Sequence, residues 1–519
     1  MIMPDEAPSE LEALGSKTAS GGTIFISGKI AAALANLVIL IFLARYLAPV
    51  EYGLYTIAIS FSFALGMGGN FGLGTALRKL LPPESSKEKH SMLVYNAYVV
   101  AGLASAIISL VGIVLSGAIA TYVYGNPTMA FPIALGAADV FLAVLLNLAT
   151  AVLVGLGKVK GATYGIMAYS FGQLIATVAL VLAGFGIAGA MGGLILGTLI
   201  GFLVSLAYIV PTVSAKHMRF SKDISKSMTK FSIPIVISNV AQTGAINFGI
   251  LFLGIFATAT VVGNFGAAYR LGKFIEVLLT SSTFVLLPAF SRAVSDSQMS
   301  AKISSIFNNS IYFSMLFLVP IAVLIMSTAT PAVHVLFSHE YTYAPFYLAI
   351  VTFGLLLTVI GTYAGTLLIG YGDTRKFMVY QLAFVAVEFI LVIALVPFIK
   401  ATGLLLSLFI IGPIMLDVIY VRMLTKQLSV KLHYGQLLRF TLSAIMLFAL
   451  LYSVAYIMHE RDLALLVNIV LAIVAYPILI GLTGTVRKSN AKLIRSMASG
   501  IPGRSIIMLF LRYTELFVR

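Results

Sequence analysis

Residues 161–210, GATYGIMAYSFGQLIATVALVLAGFGIAGAMGGLILGTLIGFLVSLAYIV, contain no Asp, Glu, Lys or Arg. An α-helix rises about 1.5 Å per residue and a bilayer's hydrocarbon is about 30 Å thick, so roughly twenty apolar residues cross it. The run is long enough to cross twice. Only helices and closed barrels satisfy their own backbone inside lipid, and apolar runs of this length exclude strands. The same pattern fills the chain, which is 60% hydrophobic and 10% charged with a mean hydropathy of +1.04. Spans are expected near 23–43, 54–77, 93–120, 128–156, 163–184, 187–210, 232–254, 258–290, 304–326, 344–369, 378–397, 401–424, 440–458 and 462–484. The expected fold class is an all-α polytopic membrane protein of about 14 transmembrane helices.

Charge sets the orientation. One set of alternate loops holds Arg78, Lys79, Lys87 and Lys89, then Lys158 and Lys160, then the basic run from Lys216 to Lys230. It continues with Arg292, Lys302, Arg375, Lys376, Arg422, Lys426, Lys431 and Arg439, and seven more basic residues follow Thr485. The opposite loops hold Arg45, Lys400 and Arg461. Cytoplasmic loops carry the excess of Lys and Arg, so both termini are expected in the cytoplasm of a plasma or inner membrane. The net charge of +15 is thereby explained by topology, without nucleic acid. Asp5, Glu6, Glu10 and Glu12 against a single Lys17 are the opposite of a signal peptide's basic start, and no cleavable leader is expected. Cysteine and tryptophan are absent, which rules out disulfides and thiolate metal sites and leaves Tyr and Phe as interfacial aromatics.

The chain repeats itself. Residues 42–58 (FLARYLAPVEYGLYTIA) align with 252–268 (FLGIFATATVVGNFGAA), matching Phe42 to Phe252, Gly53 to Gly263 and Ala58 to Ala268. Gly155-Leu-Gly-Lys-Val-Lys aligns with Gly370-Tyr-Gly-Asp-Thr-Arg-Lys, and the surroundings of Tyr124 with those of Phe337. Six spans separate the partners, so the repeats share orientation and relate by an axis along the membrane normal. The expected organisation is a cytoplasmic tail (1–22), two pseudo-two-fold-related six-helix lobes (23–228 and 229–424), two further helices (425–484), and a basic tail (485–519) carrying an interfacial amphipathic helix.

Charges inside spans are costly, at about 2.5–3.5 kcal/mol each at a helix centre, and mark function by default. Arg270, Lys273 and Glu276 share a sector about 120° wide on the eighth span. Either Lys273 and Glu276 pair with Arg270 on carbonyls, or the net positive triplet faces a water-filled cavity and holds an anion. Lys29 enters the first span, where it either snorkels or joins that cavity. Arg45, before Pro49 and Glu51, either pairs with Glu51 or marks the outer mouth. Asp139, Glu276, Glu388 (with Gln381 seven residues earlier) and Asp417 are buried carboxyls. Such groups can carry a coupling H⁺ or Na⁺, Glu388 being preferred and Asp417 read as structural. Asn239, Gln242 and Asn247 give the seventh span a polar face. Gly189, Gly193, Gly197 and Gly201 form a small-xxx-small stripe for close helix packing. Gly22 to Ile30 is one residue too long for a phosphate-binding loop and ends in Ile, and no HExxH or GxSxG context occurs. No cofactor, metal or catalytic residue is expected.

The runs FLARYLAPVEYGLYTIAISFSFALGMGGNFGLGTALRKLLP (42–82) and GNFGAAYRLGKFIEVLLTSSTFVLLPAFSRAVSD (263–296), with the glycine–basic turn at 370–376, resemble the polysaccharide flippases of the multidrug/oligosaccharidyl-lipid/polysaccharide exporter superfamily. That resemblance implies a transporter, not an enzyme. It would flip a polyprenyl-(pyro)phosphate-linked oligosaccharide to the outer leaflet by alternating access, as a monomer among membrane lipids. The resemblance places the anionic lipid-linked glycan's phosphate against Arg270 and Lys273, with Lys29 contributed by the matching first helix. Glu276 is an acid that the resemblance does not lead one to expect. The alternatives are a peptidoglycan-precursor (lipid II) flippase, a multidrug/cation antiporter, whose first helix carries an acid in many members, and a membrane-embedded glycan ligase or polymerase. Short, charge-poor outer loops argue against the last.

Overall fold

A computed structural model describes residues 7–69, 72–81, 86–294, 299–458 and 461–486; the basic tail after 486 lies outside these described residues. The chain folds as α1 (Ala7–Tyr46), α2 (Pro49–Gly69), α3 (Leu73–Leu80), α4 (Lys87–Ala118), α5 (Ala130–Gly155), α6 (Val159–Leu180), α7 (Gly186–Ile209) and α8 (Lys222–Phe256). It continues with α9 (Ala259–Val294), α10 (Met299–Ser327), α11 (Ala329–Leu336), α12 (Ala344–Tyr371), α13 (Thr374–Leu405), α14 (Gly412–Leu428), α15 (Tyr434–Ile457) and α16 (Arg461–Leu482). No strand occurs among the described residues. Ten helical stretches among them are long and apolar enough to cross a membrane, and two of these, Val159–Thr212 and Lys376–Lys426, run to 54 and 51 residues. The protein is a multi-pass membrane protein.

Contacts divide the chain into two compact units, residues 1–266 and 267–519. In the first, the 54-residue stretch folds back through Gly184 (φ 90°) and Gly186 (φ 49°, ψ −127°). The glycine stripe of α7 then runs antiparallel to α6. A Cβ built on Gly193 would lie 2.6 Å from the Thr177 Cα, one on Gly197 2.7 Å from the Gln173 Cα, and one on Gly201 2.7 Å from the Tyr169 Cβ. In lipid, helices gain little from burying apolar area against each other, so contact of this closeness is what holds them together. The stripe is packing.

The second span ends earlier than expected. Helix α2 stops at Gly69 rather than running to residue 77. Gly72 takes a left-handed φ of 64° before α3 begins, a conformation an L-residue resists. Leu73, Ala76, Leu77 and Leu81 bury one side of α3 against Leu93, Ala97, Leu148 and Val152. The opposite side carries Arg78, which is therefore not a loop residue.

The internal repeat is visible in hydrogen bonds. In the first unit, Asn96 Nδ2 donates to Met92 O (2.7 Å) and Arg219 O (2.9 Å), and its Oδ1 accepts from Ser221 N at 2.8 Å. In the second, Asn308 Nδ2 donates to Ser304 O and Lys431 O (both 2.8 Å), and its Oδ1 accepts from His433 N at 3.0 Å. Asn308 stands 212 residues after Asn96, and Lys431 and His433 stand the same 212 after Arg219 and Ser221. The glycine–basic turns repeat too. Gly157 (φ 68°) and Gly372 (φ 91°) are both left-handed, and each is followed by an N–H, from Lys158 or Asp373, that bonds back five residues to Leu153 O or Leu368 O. This is the Schellman end of a helix. Gly53 and Gly263, another matched pair, cross in the first unit: a Cβ on Gly53 would lie 1.8 Å from Ala259 O, and one on Gly263 2.0 Å from Pro49 O.

The halves differ in what surrounds them. On α10, Val319 and Val323 are each 3% exposed, covered by Leu447 and Leu451 of α15 and Ala472 and Tyr476 of α16 in one apolar cluster with Tyr312 and Phe440. The residues 212 earlier on α4, Ile107 and Val111, are 62% and 50% exposed. The last two helices thus cover, in one half only, a face that the other half leaves open.

Two substitutions test this packing. Gly193→Ala drives a methyl into the backbone of α6 and should cost about 1–3 kcal/mol, read as a lower unfolding temperature in detergent. Gly66→Ala, with nothing within 4 Å of its Cβ, should leave that temperature unchanged. Helix α13 is interrupted at Ile399 and Lys400, and Lys400 takes φ 49°, ψ −127°, the dihedrals of Gly186. Lys400→Gly should raise stability by about 1 kcal/mol, because a non-glycine residue held there is strained.

Candidate functional site

The first unit carries an open cavity of about 540 Å³ whose walls include Ser62, Arg78, Asp139, Asn147, Tyr169 and Thr198. Helix α2 supplies Ser62, α3 Arg78, α5 Asp139 and Asn147, α6 Tyr169 and α7 Thr198. Arg78 is the basic residue of this wall, and the field of its guanidinium reaches the Lys29 ammonium on α1. Lys29 itself is exposed, with Nζ 4.8 Å from the centre of the Phe25 ring. Asn36, seven residues on, donates to its own helix at Ala32 O, 2.9 Å away. Two cations from different helices therefore share a field at one side of the unit.

Asp139 is 4% exposed. Its Oδ1 lies 2.9 Å from the Thr198 hydroxyl and its Oδ2 3.4 Å from that of Ser62. The Thr198 hydroxyl also lies 2.9 Å from Leu194 O. A hydroxyl has one proton, so it cannot fully serve both acceptors. A proton on the Asp139 carboxyl would complete the set. Arg45 stands exposed at the end of α1, and Glu51 accepts from Ala48 N at 3.3 Å at the start of α2.

In the second unit, Arg270, Lys273 and Glu276 gather around Tyr269, which feels the charge of all three. Lys273 Nζ lies 3.1 Å from the Tyr269 hydroxyl and 5.5 Å from its ring centre, within the field of Glu276. The tyrosine ring packs 6.0 Å from that of Phe409. Both members of the Gln381–Glu388 pair are buried, at 4% and 6% exposure. A Cβ on Gly412 would lie 2.8 Å from Ser407 O and 3.0 Å from Glu388 Oε1, so the carboxyl lies close against the glycine. Gly412 closes a π-helical segment, Leu406–Ile411, and Pro413 follows it without an N–H. Asp417 Oδ1 presses on Gly361 in the same way, since a Cβ there would sit 2.9 Å away. Asn247 is buried; the side chains of Asn239 and Gln242 lie outside the described residues.

The expected set thus separates into Lys29, Arg45 and Asp139 in the first unit and Arg270, Lys273, Glu276 and Glu388 in the second. Arg78 is the residue that sequence reading overlooked, because it was counted among the loop charges. Its signal was present in the glycines at 66, 68, 69, 72 and 74, which stop the second helix before the arginine.

A family model described as Polysaccharide biosynthesis protein matches residues 42–345, more than half of the chain. The chain belongs to the polysaccharide biosynthesis protein family. A curated relative of this family member is the succinoglycan biosynthesis transport protein ExoT of Rhizobium meliloti (strain 1021), 25% identical over 304 residues; the match spans 58% of this chain and 59% of that protein. The fold is shared with the lipid II flippase MurJ in an inward closed conformation, at a TM-score of 0.71 and 15% identity over 92% of this chain and 99% of that one. It is also shared with an inward-facing multidrug resistance MATE family transporter, at a TM-score of 0.62 and 17% identity over 77% and 94%. The resemblance read from residues 42–82 and 263–296 is borne out: the chain belongs to a polysaccharide biosynthesis family and shares its fold with a transporter of the multidrug/oligosaccharidyl-lipid/polysaccharide exporter superfamily.

The hydroxyl pair around Asp139 can be tested directly. Thr198→Val removes the nearer partner of a buried carboxyl and should lower stability by about 1–3 kcal/mol, measured by thermal unfolding of the purified protein. Asp139→Asn, whose amide still pairs with both hydroxyls, should cost less.

Proposed function

We propose that this protein carries a polyprenyl-(pyro)phosphate-linked oligosaccharide from the cytoplasmic to the outer leaflet of the plasma or inner membrane by alternating access. Both termini lie in the cytoplasm, and no bond is made or broken. The observation that carries the proposal is Arg78 in the wall of the 540 Å³ cavity with Lys29 in its field. A cation on the wall of a cavity lined largely by apolar side chains is costly to keep and is repaid by an anion that shares it. A (pyro)phosphate between a sugar and a prenyl chain is such an anion, and a guanidinium binds it with two parallel N–H donors. Membership of a polysaccharide biosynthesis family supports a glycan as the cargo. So does the relative whose name makes it a succinoglycan biosynthesis transport protein. The fold shared with a lipid II flippase is compatible with lipid-linked cargo.

Lys29 and Arg78 draw in the phosphate in the first unit, and Arg270 and Lys273 do so in the second. Arg45 serves the outer mouth. Asp139, Glu276 and Glu388 are the groups that carry a coupling H⁺ or Na⁺. For Asp139 the incomplete hydroxyl set favours H⁺, since a carboxyl proton supplies the missing donor. The protein works as a monomer in which lobes 23–228 and 229–424 alternate.

The test is translocation of a fluorescent lipid-linked oligosaccharide in reconstituted vesicles, with lipid II as a parallel substrate. Arg78→Ala, and the pair Arg270→Ala with Lys273→Ala, should each slow flipping at least tenfold while leaving the protein folded. Flipping at the wild-type rate in both variants would remove the phosphate site. A preference for lipid II would make the cargo the peptidoglycan precursor.

A further inference from the structure

The second unit carries a separate pocket of about 580 Å³ among α10, α11, α12 and α15, lined in part by Thr330, His334, His339, Thr342, Phe346 and Tyr452. Two of the chain's six histidines meet in it. The ring centres of His334 and His339 are 4.5 Å apart and the planes are inclined by 51°, which rules out face-to-face stacking. Their spacing is not left to a loose loop. Phe337 and Tyr341, on the chain between and just beyond them, are 3% and 0% exposed, with their rings 5.6 Å apart. The turn is further closed by Tyr341 N to Ser338 O and Thr342 N to Glu340 O.

We infer that this pocket is a binding site for a first-row divalent metal ion held by His334 and His339. An imidazole nitrogen lies about 1.2 Å from its ring centre and binds Zn²⁺ at about 2.0–2.1 Å. Two imidazoles sharing one ion at an angle between about 90° and about 110° therefore hold their centres about 4.5–5.3 Å apart. The observed separation falls at the near end of that range. Imidazole selects Zn²⁺, Cu²⁺ and Ni²⁺ over Mg²⁺ and Ca²⁺, which prefer a shell of oxygens. Among the described residues no group of three or more His, Cys, Asp or Glu side chains surrounds a point where an ion could sit. The ion would therefore keep open positions facing the pocket, available to water, to the Thr330 and Thr342 hydroxyls, or to an anionic oxygen of a ligand. Structural zinc sites are closed by four protein ligands; this one is exchangeable, and the fold does not depend on it.

The experiment is isothermal titration of Zn²⁺ or Ni²⁺ into the full-length protein in detergent, with any polyhistidine tag removed. The expected result is one site of micromolar affinity that Mg²⁺ at millimolar concentration does not displace. His334→Ala and His339→Ala should each weaken it at least tenfold. The metal-free unfolding temperature of His339→Ala, at the exposed member of the pair, should not shift, which shows that its loss of binding is not misfolding. Absence of binding below millimolar metal would overturn the inference. So would wild-type affinity in both variants, which would place the ion elsewhere. Because binding is measured without substrate, failure here leaves the transport proposal standing, and failure of transport leaves the metal site standing.

Discussion

Hydrocarbon offers a polypeptide nothing to hydrogen-bond with, and every local feature of this protein answers to that constraint. Where the chain stays helical the backbone satisfies itself. Serines and threonines inside the helices mostly return their hydroxyls to a carbonyl three or four residues back, as Thr163 does to Val159, Ser327 to Val323 and Ser407 to Gly403. Where the chain must stop, the repair is local and repeated. Schellman turns at Gly157 and Gly372 collect the loose carbonyls, and Asn96 and Asn308 each pin a connecting segment with two backbone bonds. The exceptions then stand out. Asp139 shares the Thr198 hydroxyl with a backbone carbonyl, Leu194 O, and Glu388 lies against a π-helical segment with a proline after it. Both are buried carboxyls, and hydrocarbon is an unfavourable place for their charged form.

The same constraint shapes how helices touch. Apolar area earns little between two helices already in an apolar solvent, so contact depends on closeness. The glycines of α7 bring it within backbone distance of α6, and Gly53 and Gly263 bring α2 within reach of the start of α9. Around the cavity of the first unit the opposite choice appears. Tyr169, Asn147 and Arg78 hold space open instead of closing it.

Much of this could be read from the residues. Fifty uncharged positions at 161–210 announced a helical hairpin, and the i, i+4 glycines named its packing face. The glycine–basic turns and the Gly53–Gly263 match located the repeat, although the asparagines that repeat most exactly were hidden, because one polar residue in an apolar helix carries no periodic signal. The candidate site was legible in part. Charges inside spans are conspicuous, so Lys29, Arg270, Lys273, Asp139 and Glu388 were found by cost alone. Arg78 was missed because one apolar stretch concealed a helix end at Gly69 and a new helix at Leu73; apolar count measures length, and a left-handed glycine decides where that length is cut. The histidine pair was missed for a related reason. Two histidines five apart in sequence are unremarkable until Phe337 and Tyr341 anchor the turn that brings their rings together.

The covering of α10 by α15 and α16 bears on how the two halves tolerate change. The repeated helices share a fold but not a solvent: one face of α4 dissolves in lipid, while the matching face of α10 dissolves in protein. Lipid accepts almost any apolar shape, whereas a packed neighbour accepts few. Ile107 and Val111 are thus free to drift among apolar residues, and Val319 and Val323 are not. A duplicated architecture of this kind acquires a fluid side and a fixed side, and selection on sequence is expected to run at two different rates along helices that trace the same path.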